Sequence, residues 1–325
     1  MAVIGVVEER FSNHEIERAV IESAGHTMIE APADSDDWPE WMTEAEALLV
    51  NLTPVTADVI DRLPALRYIG RYGVGTDSID VTAAGVRGIA VVNQPAVTAV
   101  EVSEHTIALW LACMRQIIPR DAGVREGKWN IQPPVATRRL KQTVFGLIGF
   151  GRIGRLVTRK LHSFELADIL VHDPSVPAEQ IVREGATPVS FDELIAGATT
   201  ISLHVSLTAE TRKMINAGAI AAMKRGACII NTSRGGLVDM DAVADGLRDG
   251  QLHSVGFDVF PDEPPQAHPL LEMPGTVFSD HSAWYSVQSQ VDLQRSTAQQ
   301  AVSYLDGGRD MSIVNREQLQ SGRPD

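Results

Sequence analysis

Three polar residues follow apolar, strand-like runs in the second half of the chain: Arg234 in IINTSRGGLVD, Glu263 in FDVFPDEPP and His281 in VFSDHSAWYS. An arginine offers a planar fork of donors that grips a carboxylate and polarises a neighbouring carbonyl. A histidine gives or takes a proton near neutral pH. A carboxylate on its far ring nitrogen fixes the tautomer and favours the imidazolium. Reduction of a carbonyl that sits beside a carboxylate needs one of each. A lone turn arginine is ordinarily just solvated. Here Gly235 and Gly236 follow and strip the place of bulk, which is expected to let ligands approach the backbone closely.

A second constellation lies upstream. Gly149, Gly151 and Gly154 in GFGRIG directly follow the apolar run VFGLI and open a helix with Ile153, Leu156, Val157, Leu161 and Phe164 on one face. In that context Gly149 permits a tight turn, Gly151 lets the backbone reach a pyrophosphate, and Gly154 lets helix and strand pack. The N–H groups at the helix start, around Arg152 and Ile153, would hold the phosphates. Asp173, in VHDP at the end of the next strand, suits the ribose hydroxyls and repels a 2′-phosphate. NAD is therefore expected in preference to NADP, and no metal site is indicated.

These residues need strands and helices to place them. VIGVV (3–7), ALLV (47–50), LRYIG (66–70) and IAVVN (89–93) alternate with amphipathic stretches such as HEIERAVIESAG, the pattern of βαβ units and a parallel sheet. A helix is expected over 102–118, stopped by Pro119, and then a polar stretch rich in Gly and Pro over 121–142. Strands are expected at 144–148, 168–172, 200–205, 227–231, 254–258 and 276–279, enough for a doubly wound sheet. A helix over 287–306 and a strand over 311–315 would end the chain. With 325 residues, two domains are expected.

Composition narrows the partners. A net charge of −14 argues against nucleic acid. The densest basic cluster, Arg138, Arg139 and Lys141, reads as a solvated loop. No apolar stretch nears the ~20 residues that span a bilayer. The start MAVIGVVEERF reads as a first strand in place of a signal peptide, so a cytoplasmic protein is expected. Cys113 and Cys228 read as small core residues. His14, His26, His162 and His253 read as surface or satisfied histidines, and Trp38 and Trp41 either cover a cleft or simply pack.

The chain resembles the D-2-hydroxyacid dehydrogenase family over about residues 1–315. The resemblance is carried by RYGVGTDSIDVTAAGVRGIAVVN, VSEHTIAL, GLIGFGRIGR, SLHVSLTAETRKMI, INTSRGGLVD, GFDVFPDEPP and HPLLEMPGTVFSDHSAW. It implies an α/β fold of two doubly wound parallel-sheet domains. A Rossmann cofactor domain would span 101–286, and a flavodoxin-like substrate domain would be built from 1–100 and 287–325. The family's catalytic arginine, glutamate and histidine carry over to Arg234, Glu263 and His281. By resemblance, Thr106, His204, Val205, Thr232, Asp258 and Ala283 line the cofactor. Backbone groups around Val74 and Gly75 hold the substrate carboxylate, with Trp284 on the substrate side. Tyr72 either touches substrate or fills core.

Departures from the family pattern are Asp280 for the proline before the histidine, Ser206 for a proline, and Glu165 for a glycine. RYGVG with HSAWYS resembles the branch holding phosphoglycerate dehydrogenases and the C-terminal binding protein corepressors. Asn51, in LLVNLTPVT, stands where those dehydrogenases typically carry Arg, and no C-terminal regulatory domain is seen. The favoured expectation is an NAD-dependent oxidoreductase acting on a small unphosphorylated 2-oxo acid, of the glyoxylate or hydroxypyruvate type. D-3-phosphoglycerate dehydrogenase, formate- or phosphite-oxidising activity, and an NAD(H)-sensing corepressor-like binding protein are the alternatives. The family's usual dimer, paired through the cofactor domain, makes a homodimer the expected assembly.

Overall fold

The structure, a computed structural model, describes residues 1–8, 10–129, 137 and 139–321. Arg138 and part of the Gly- and Pro-rich stretch, 130–136, lie outside the described residues. The chain divides into two compact units, Met1–Thr98 with Tyr285–Asp325, and Ala99–Trp284.

The first unit holds five parallel strands: β1 (Val3–Val7), β2 (Thr27–Glu30), β3 (Ala47–Val50), β4 (Tyr68–Arg71) and β5 (Ala90–Val92), in the order β2-β1-β3-β4-β5. This is the flavodoxin-like order. All four residues of β3 are buried, because a parallel sheet is covered on both faces and its central strands must be apolar on both. On one face Met42, Leu48, Val50, Ile69 and Val91 form a core. On the other, helices Glu15–Ser23 and Val287–Leu305 pack on one another, the second also against β3 and β4. The second helix starts in a capping box between Ser286 and Ser289.

Two expectations need correction here. β2 was not foreseen, since TMIE at the sheet edge buries only Met28 and carries no apolar run. The strand expected over 311–315 is only an antiparallel bridge between Val92 and Ile313. The Asn315 amide takes the Val91 N–H and donates to the Ile89 carbonyl, occupying groups a ladder would have used.

The second unit holds seven parallel strands: β6 (Val144–Ile148), β7 (Asp168–His172), β8 (Thr187–Pro188), β9 (Thr200–Leu203), β10 (Ala227–Asn231), β11 (Leu252–Phe257) and β12 (Thr276–Phe278). Their order, β12-β11-β10-β9-β6-β7-β8, is the dinucleotide-binding order with one further edge strand. β8 escaped the sequence pattern because it is two residues long. Alternation along β10 feeds two cores: Ala227 and Ile229 join Leu203, Leu237 and Val255, while Cys228 and Ile230 join Trp110, Phe145 and Val157. Ile229 and Ile230 are both fully buried, each contributing roughly 2 kcal/mol by apolar area.

Pro119 does not stop a helix. The first helix is Ala99–Arg115, it breaks at Gln116 with a left-handed φ of 55°, and Pro119 lies in the first turn of the next helix, Ile117–Arg125. A proline is tolerated there because its missing N–H would have no helical acceptor. Among the described residues no helix is long and apolar enough to cross a membrane.

Candidate active site

The dinucleotide loop follows from β6. Gly149 takes a φ of +97°, and a β-carbon on it would overlap the His204 carbonyl, so only glycine serves there. A β-carbon on Gly154 would lie 2.5 Å from the Gly149 carbonyl oxygen, which keeps the helix Arg152–Leu161 close to the loop. Around Gly151 nothing lies within 4 Å of a β-carbon, and that residue caps the helix without any side-chain bond to its first N–H groups. An open space before uncapped helical N–H groups is what a phosphate needs. Arg152 is exposed there, and Ile153 packs against the core.

Asp173 anchors the same loop. Its Oδ2 accepts the Phe150 N–H at 2.7 Å, and its Oδ1 accepts the Ser175 N–H at 2.9 Å and hydroxyl at 2.6 Å. Burial alone would raise its pKa. The Ser175 and Phe150 hydrogen bonds together outweigh that and hold the carboxyl below its usual range. It therefore remains charged, with lone pairs to spare for further donors.

His204 follows β9. Its Nε2 pairs with the Ser202 hydroxyl at 2.9 Å, while Nδ1 is sealed from solvent without a partner. The residue as a whole is only partly buried, but burial of the ring pushes its pKa down to about 3, so the imidazole is neutral. The Thr106 and Thr232 hydroxyls lie 2.9 Å apart, joining the helix Ala99–Arg115 to the end of β10. Val205 is part of the packing beside Gly149. The open space at Gly151, the uncapped helix and the orphaned His204 nitrogen fit a bound dinucleotide.

At the carboxyl ends of β10, β11 and β12 the catalytic candidates come together. His281 Nδ1 and Glu263 Oε2 are 2.6 Å apart; a carboxylate can only accept, so Nδ1 is the donor. Glu263 Oε1 accepts the Phe260 N–H at 3.0 Å, which fixes the carboxylate plane. Arg234 leads out of β10 with its NH1 donating to the Ser233 carbonyl at 2.7 Å and its own carbonyl accepting from Asn231 Nδ2 at 2.8 Å. The expected role of the two glycines is corrected. A β-carbon on Gly235 would overlap the backbone of Phe260 and Pro261, and one on Gly236 would meet the Leu207 side chain at 2.9 Å. The missing bulk fits protein against protein, and it docks the Arg234 segment on the segment that carries Glu263.

His281 has a φ of +56°, a region that costs a non-glycine residue about 1 kcal/mol or more. Asp258, 1% exposed, holds that turn. Its carbonyl accepts the His281 N–H at 2.8 Å, its Oδ1 accepts the Ser279 hydroxyl at 2.6 Å and the Ser282 N–H at 2.9 Å, and its Oδ2 accepts the Ala283 N–H at 3.1 Å. Since the Ser279 proton goes to Asp258, His105 Nε2 donates to Ser279 Oγ at 2.7 Å. The sequence reading gave Asp258 and Ala283 to the cofactor and missed this work on the histidine turn. It missed His105 altogether, although VSEHTIAL places that residue one position before Thr106. Asp280, on the same turn, is exposed.

The remaining candidates lie as follows. In the first unit Val74 is exposed and its carbonyl accepts from Asn93 Nδ2 at 2.7 Å, with Gly75 beside it partly buried. Tyr72, also in that unit, is 2% exposed, its ring edge-on to Phe11 and its hydroxyl donating to Glu17 at 3.0 Å, so its position accounts for packing. Trp284 is half-buried in the second unit. Glu165 adopts a left-handed φ of 52°, a conformation that glycine takes without strain. His14, His26, His162 and His253 all have partners within the protein. Trp38 donates to the Pro32 carbonyl at 2.7 Å and packs on the first unit's core, whereas Trp41 is exposed.

Residues 107–283 match the family described as D-isomer specific 2-hydroxyacid dehydrogenase, NAD binding domain. The chain is 34% identical over 304 residues to the D-3-phosphoglycerate dehydrogenase of Methanocaldococcus jannaschii, which covers 93% of this chain and 58% of that protein. It is 35% identical over 294 residues to the glyoxylate reductase of Korarchaeum cryptofilum, covering 89% and 88%. The chain spans about half to three-fifths of the length of the phosphoglycerate dehydrogenases it matches. A crystal structure of D-lactate dehydrogenase from Aquifex aeolicus, complexed with NAD and lactic acid, superposes with a TM-score of 0.85 at 26% identity, covering 99% of this chain and 100% of that one. The chain thus belongs to the D-isomer-specific 2-hydroxyacid dehydrogenase family, and NAD is its cofactor.

Proposed function

We propose that the protein reduces a small 2-oxo acid, of the glyoxylate or hydroxypyruvate type, to the D-2-hydroxy acid with NADH, or runs the reverse reaction. The observation that carries this reading is the 2.6 Å pair between His281 and Glu263, on a segment docked against the Arg234 loop through Gly235. NAD, when bound, is the two-electron carrier. The Arg234 guanidinium grips the substrate carboxylate and polarises the carbonyl. With Nδ1 held by Glu263, His281 has Nε2 left to give a proton to the carbonyl oxygen. Glu263 keeps that tautomer and balances the imidazolium charge. Backbone groups at Val74 and Gly75, with Trp284, receive the rest of the substrate. Asp173 takes the ribose hydroxyls.

The names of the relatives support the dehydrogenase class and span more than one acid. Asn51 in place of a cation argues against a phosphorylated one. A cytoplasmic homodimer completes the reading. Exposed Ile117, Ile118 and Val124 on one helix of the cofactor unit support self-association. Steady-state oxidation of NADH by the full chain with glyoxylate, hydroxypyruvate, pyruvate and 3-phosphohydroxypyruvate tests it. Turnover on the order of 1–10³ s⁻¹ is expected for an unphosphorylated acid. NADH binding with no turnover of any acid would favour an NAD(H)-sensing binding protein instead.

A further inference from the structure

The helix Ala99–Arg115 packs on β10, β11 and β12, the strands whose ends carry the catalytic candidates. Gly256 in β11 brings it close: a β-carbon there would meet Leu109 Cβ at 3.1 Å and Cys113 Sγ at 3.2 Å. Trp110, on the same helix, is fully buried with its ring edge-on to Phe145. The helix is therefore a fixed platform. Two adjacent residues on it reach the first residues beyond the strands. Thr106 pairs with Thr232, just after β10 and two residues before Arg234. His105 pairs with Ser279, just after β12 and two residues before His281.

The His105 bond has a direction. Ser279 gives its proton to Asp258 Oδ1 at 2.6 Å, so its oxygen is left to accept from His105 Nε2 at 2.7 Å. Were Nε2 bare, it and Asp258 Oδ1, 3.6 Å apart, would compete for that one proton. Asp258 would then lose a donor inside the protein, where an acceptor left without its partner is costly. Through its carbonyl and carboxylate, Asp258 holds the N–H groups of His281, Ser282 and Ala283, and with them the φ of +56° at His281. A strained conformation persists only while its surroundings over-determine it. Packing alone would be served by an apolar side chain at position 105. The donor is what packing leaves unexplained.

We propose that His105 is a positioning residue for proton transfer: by donating from Nε2 to Ser279 it commits the serine proton to Asp258, and so holds the turn that keeps His281 on Glu263. The inference rests on the 2-oxo acid reading, in which His281 gives the proton. The chain from His105 to Asp258 orients the turn and moves no proton in the reaction.

The test uses the full chain with NADH and whichever of glyoxylate, hydroxypyruvate and pyruvate the wild type reduces fastest. It measures kcat, KM for the acid and, by fluorescence titration, the NADH dissociation constant. The titration also counts binding-competent sites, so rates per site cancel a partly unfolded preparation. The variants are His105→Ala, His105→Gln, His105→Glu, Ser279→Ala, and His105→Ala combined with Ser279→Ala. Glutamine and glutamate share a shape, but only the amide can donate at this place; the carboxylate accepts. His105→Ala should lower kcat about twofold to tenfold, the worth of one hydrogen bond at 1.4 kcal/mol per tenfold. KM and NADH affinity should hardly change. His105→Gln should restore most of that rate. His105→Glu should fall at least about tenfold below wild type, because it takes the Ser279 proton and sets a like charge beside Asp258. Adding His105→Ala to Ser279→Ala should cost little more, since the link is already broken, whereas independent effects would multiply. An unmoved kcat in His105→Ala, equal losses in His105→Gln and His105→Glu, or multiplying losses in the combined variant overturns the assignment. Weaker NADH binding with kcat per site unmoved overturns it too, by giving the chain to the cofactor. NADH binding by a wild type that reduces none of the acids overturns the enzyme reading and this inference with it.

Discussion

Gly235 lies so close to Phe260 that any side chain at position 235 would overlap the Phe260 carbonyl. The contact joins the loop that carries Arg234 to the segment that carries Glu263, two elements twenty-nine residues apart in the chain. Gly235→Ala must push those segments apart. Overpacking of this kind costs about 1–3 kcal/mol, and kcat should fall with it because both catalytic loops move. Gly236→Ala meets only the tip of the Leu207 side chain, which can turn aside. Thermal unfolding and steady-state rates of the two variants check this. Equal effects would show that the Gly235 contact does not set the geometry.

The His281–Glu263 pair separates proton transfer from binding. His281→Ala should lower kcat by roughly 10²–10⁴, the usual worth of a positioned acid–base group, while NADH affinity stays near wild type. Glu263→Gln keeps the shape and the bond to the Phe260 N–H yet removes the charge, so its loss should be smaller. A Glu263→Gln defect as large as that of His281→Ala would mean that the carboxylate does more than orient and balance the ring.

Arg234→Ala should harm KM for the acid and kcat together, since one guanidinium is assigned to both carboxylate and carbonyl. Arg234→Lys should rescue little, because a point charge replaces a fork. Titration of NADH fluorescence should show little change in either variant. Weak NADH binding with normal turnover at saturating NADH would move Arg234 to the cofactor.

What was legible in the sequence tracks what is local. Gly149, Gly154 and Asp173 sit within one strand–loop–helix–strand unit, and the chemistry of that unit dictates residue types at fixed spacing. Arg234, Glu263 and His281 were singled out because each follows an apolar strand, and parallel strands of one sheet bring their carboxyl ends together. Asp258 was read as a cofactor residue because its grip on 279–283 depends on a turn of unusual φ at His281. The partner of Gly235 was read as ligand when it is backbone from Phe260. Each miss needed a contact between distant parts of the chain.

His14 gives the first unit a pH-dependent increment of stability. Its Nδ1 faces the buried Glu17 carboxylate at 3.5 Å and its Nε2 lies 3.2 Å from the Glu8 carbonyl. Pairing with Glu17 is the main cause that raises its pKa; burial opposes it, and the Glu17 and Glu30 charges add. A histidine pKa raised in the folded state stabilises fully below the unfolded value of ~6.5 and loses that contribution as pH rises through the folded value. The stability gap between wild type and His14→Gln in urea unfolding should thus be larger at pH 6 than at pH 8.5. A gap that widens toward alkaline pH would reverse the sign and refute the pairing.

Cofactor choice is predicted to depend on Asp173. Its hydrogen bonds from Phe150 and Ser175 hold it as a carboxylate beside the loop that opens at Gly151. NADPH would place a 2′-phosphate near that charge, and like charges forced together cost several kcal/mol. Wild type should therefore favour NADH over NADPH by about 10² or more in kcat/KM, at 1.4 kcal/mol per tenfold. Asp173→Ala removes the repulsion but also frees the Phe150 N–H, so NADH efficiency should drop while NADPH efficiency rises or holds. The preference should narrow at least about tenfold. Asp173→Asn keeps an acceptor for the Phe150 N–H, and comparison of the two variants separates loop anchoring from charge. If Asp173→Asn retained the full wild-type preference for NADH, shape and not charge would govern the choice, and the electrostatic argument would fail.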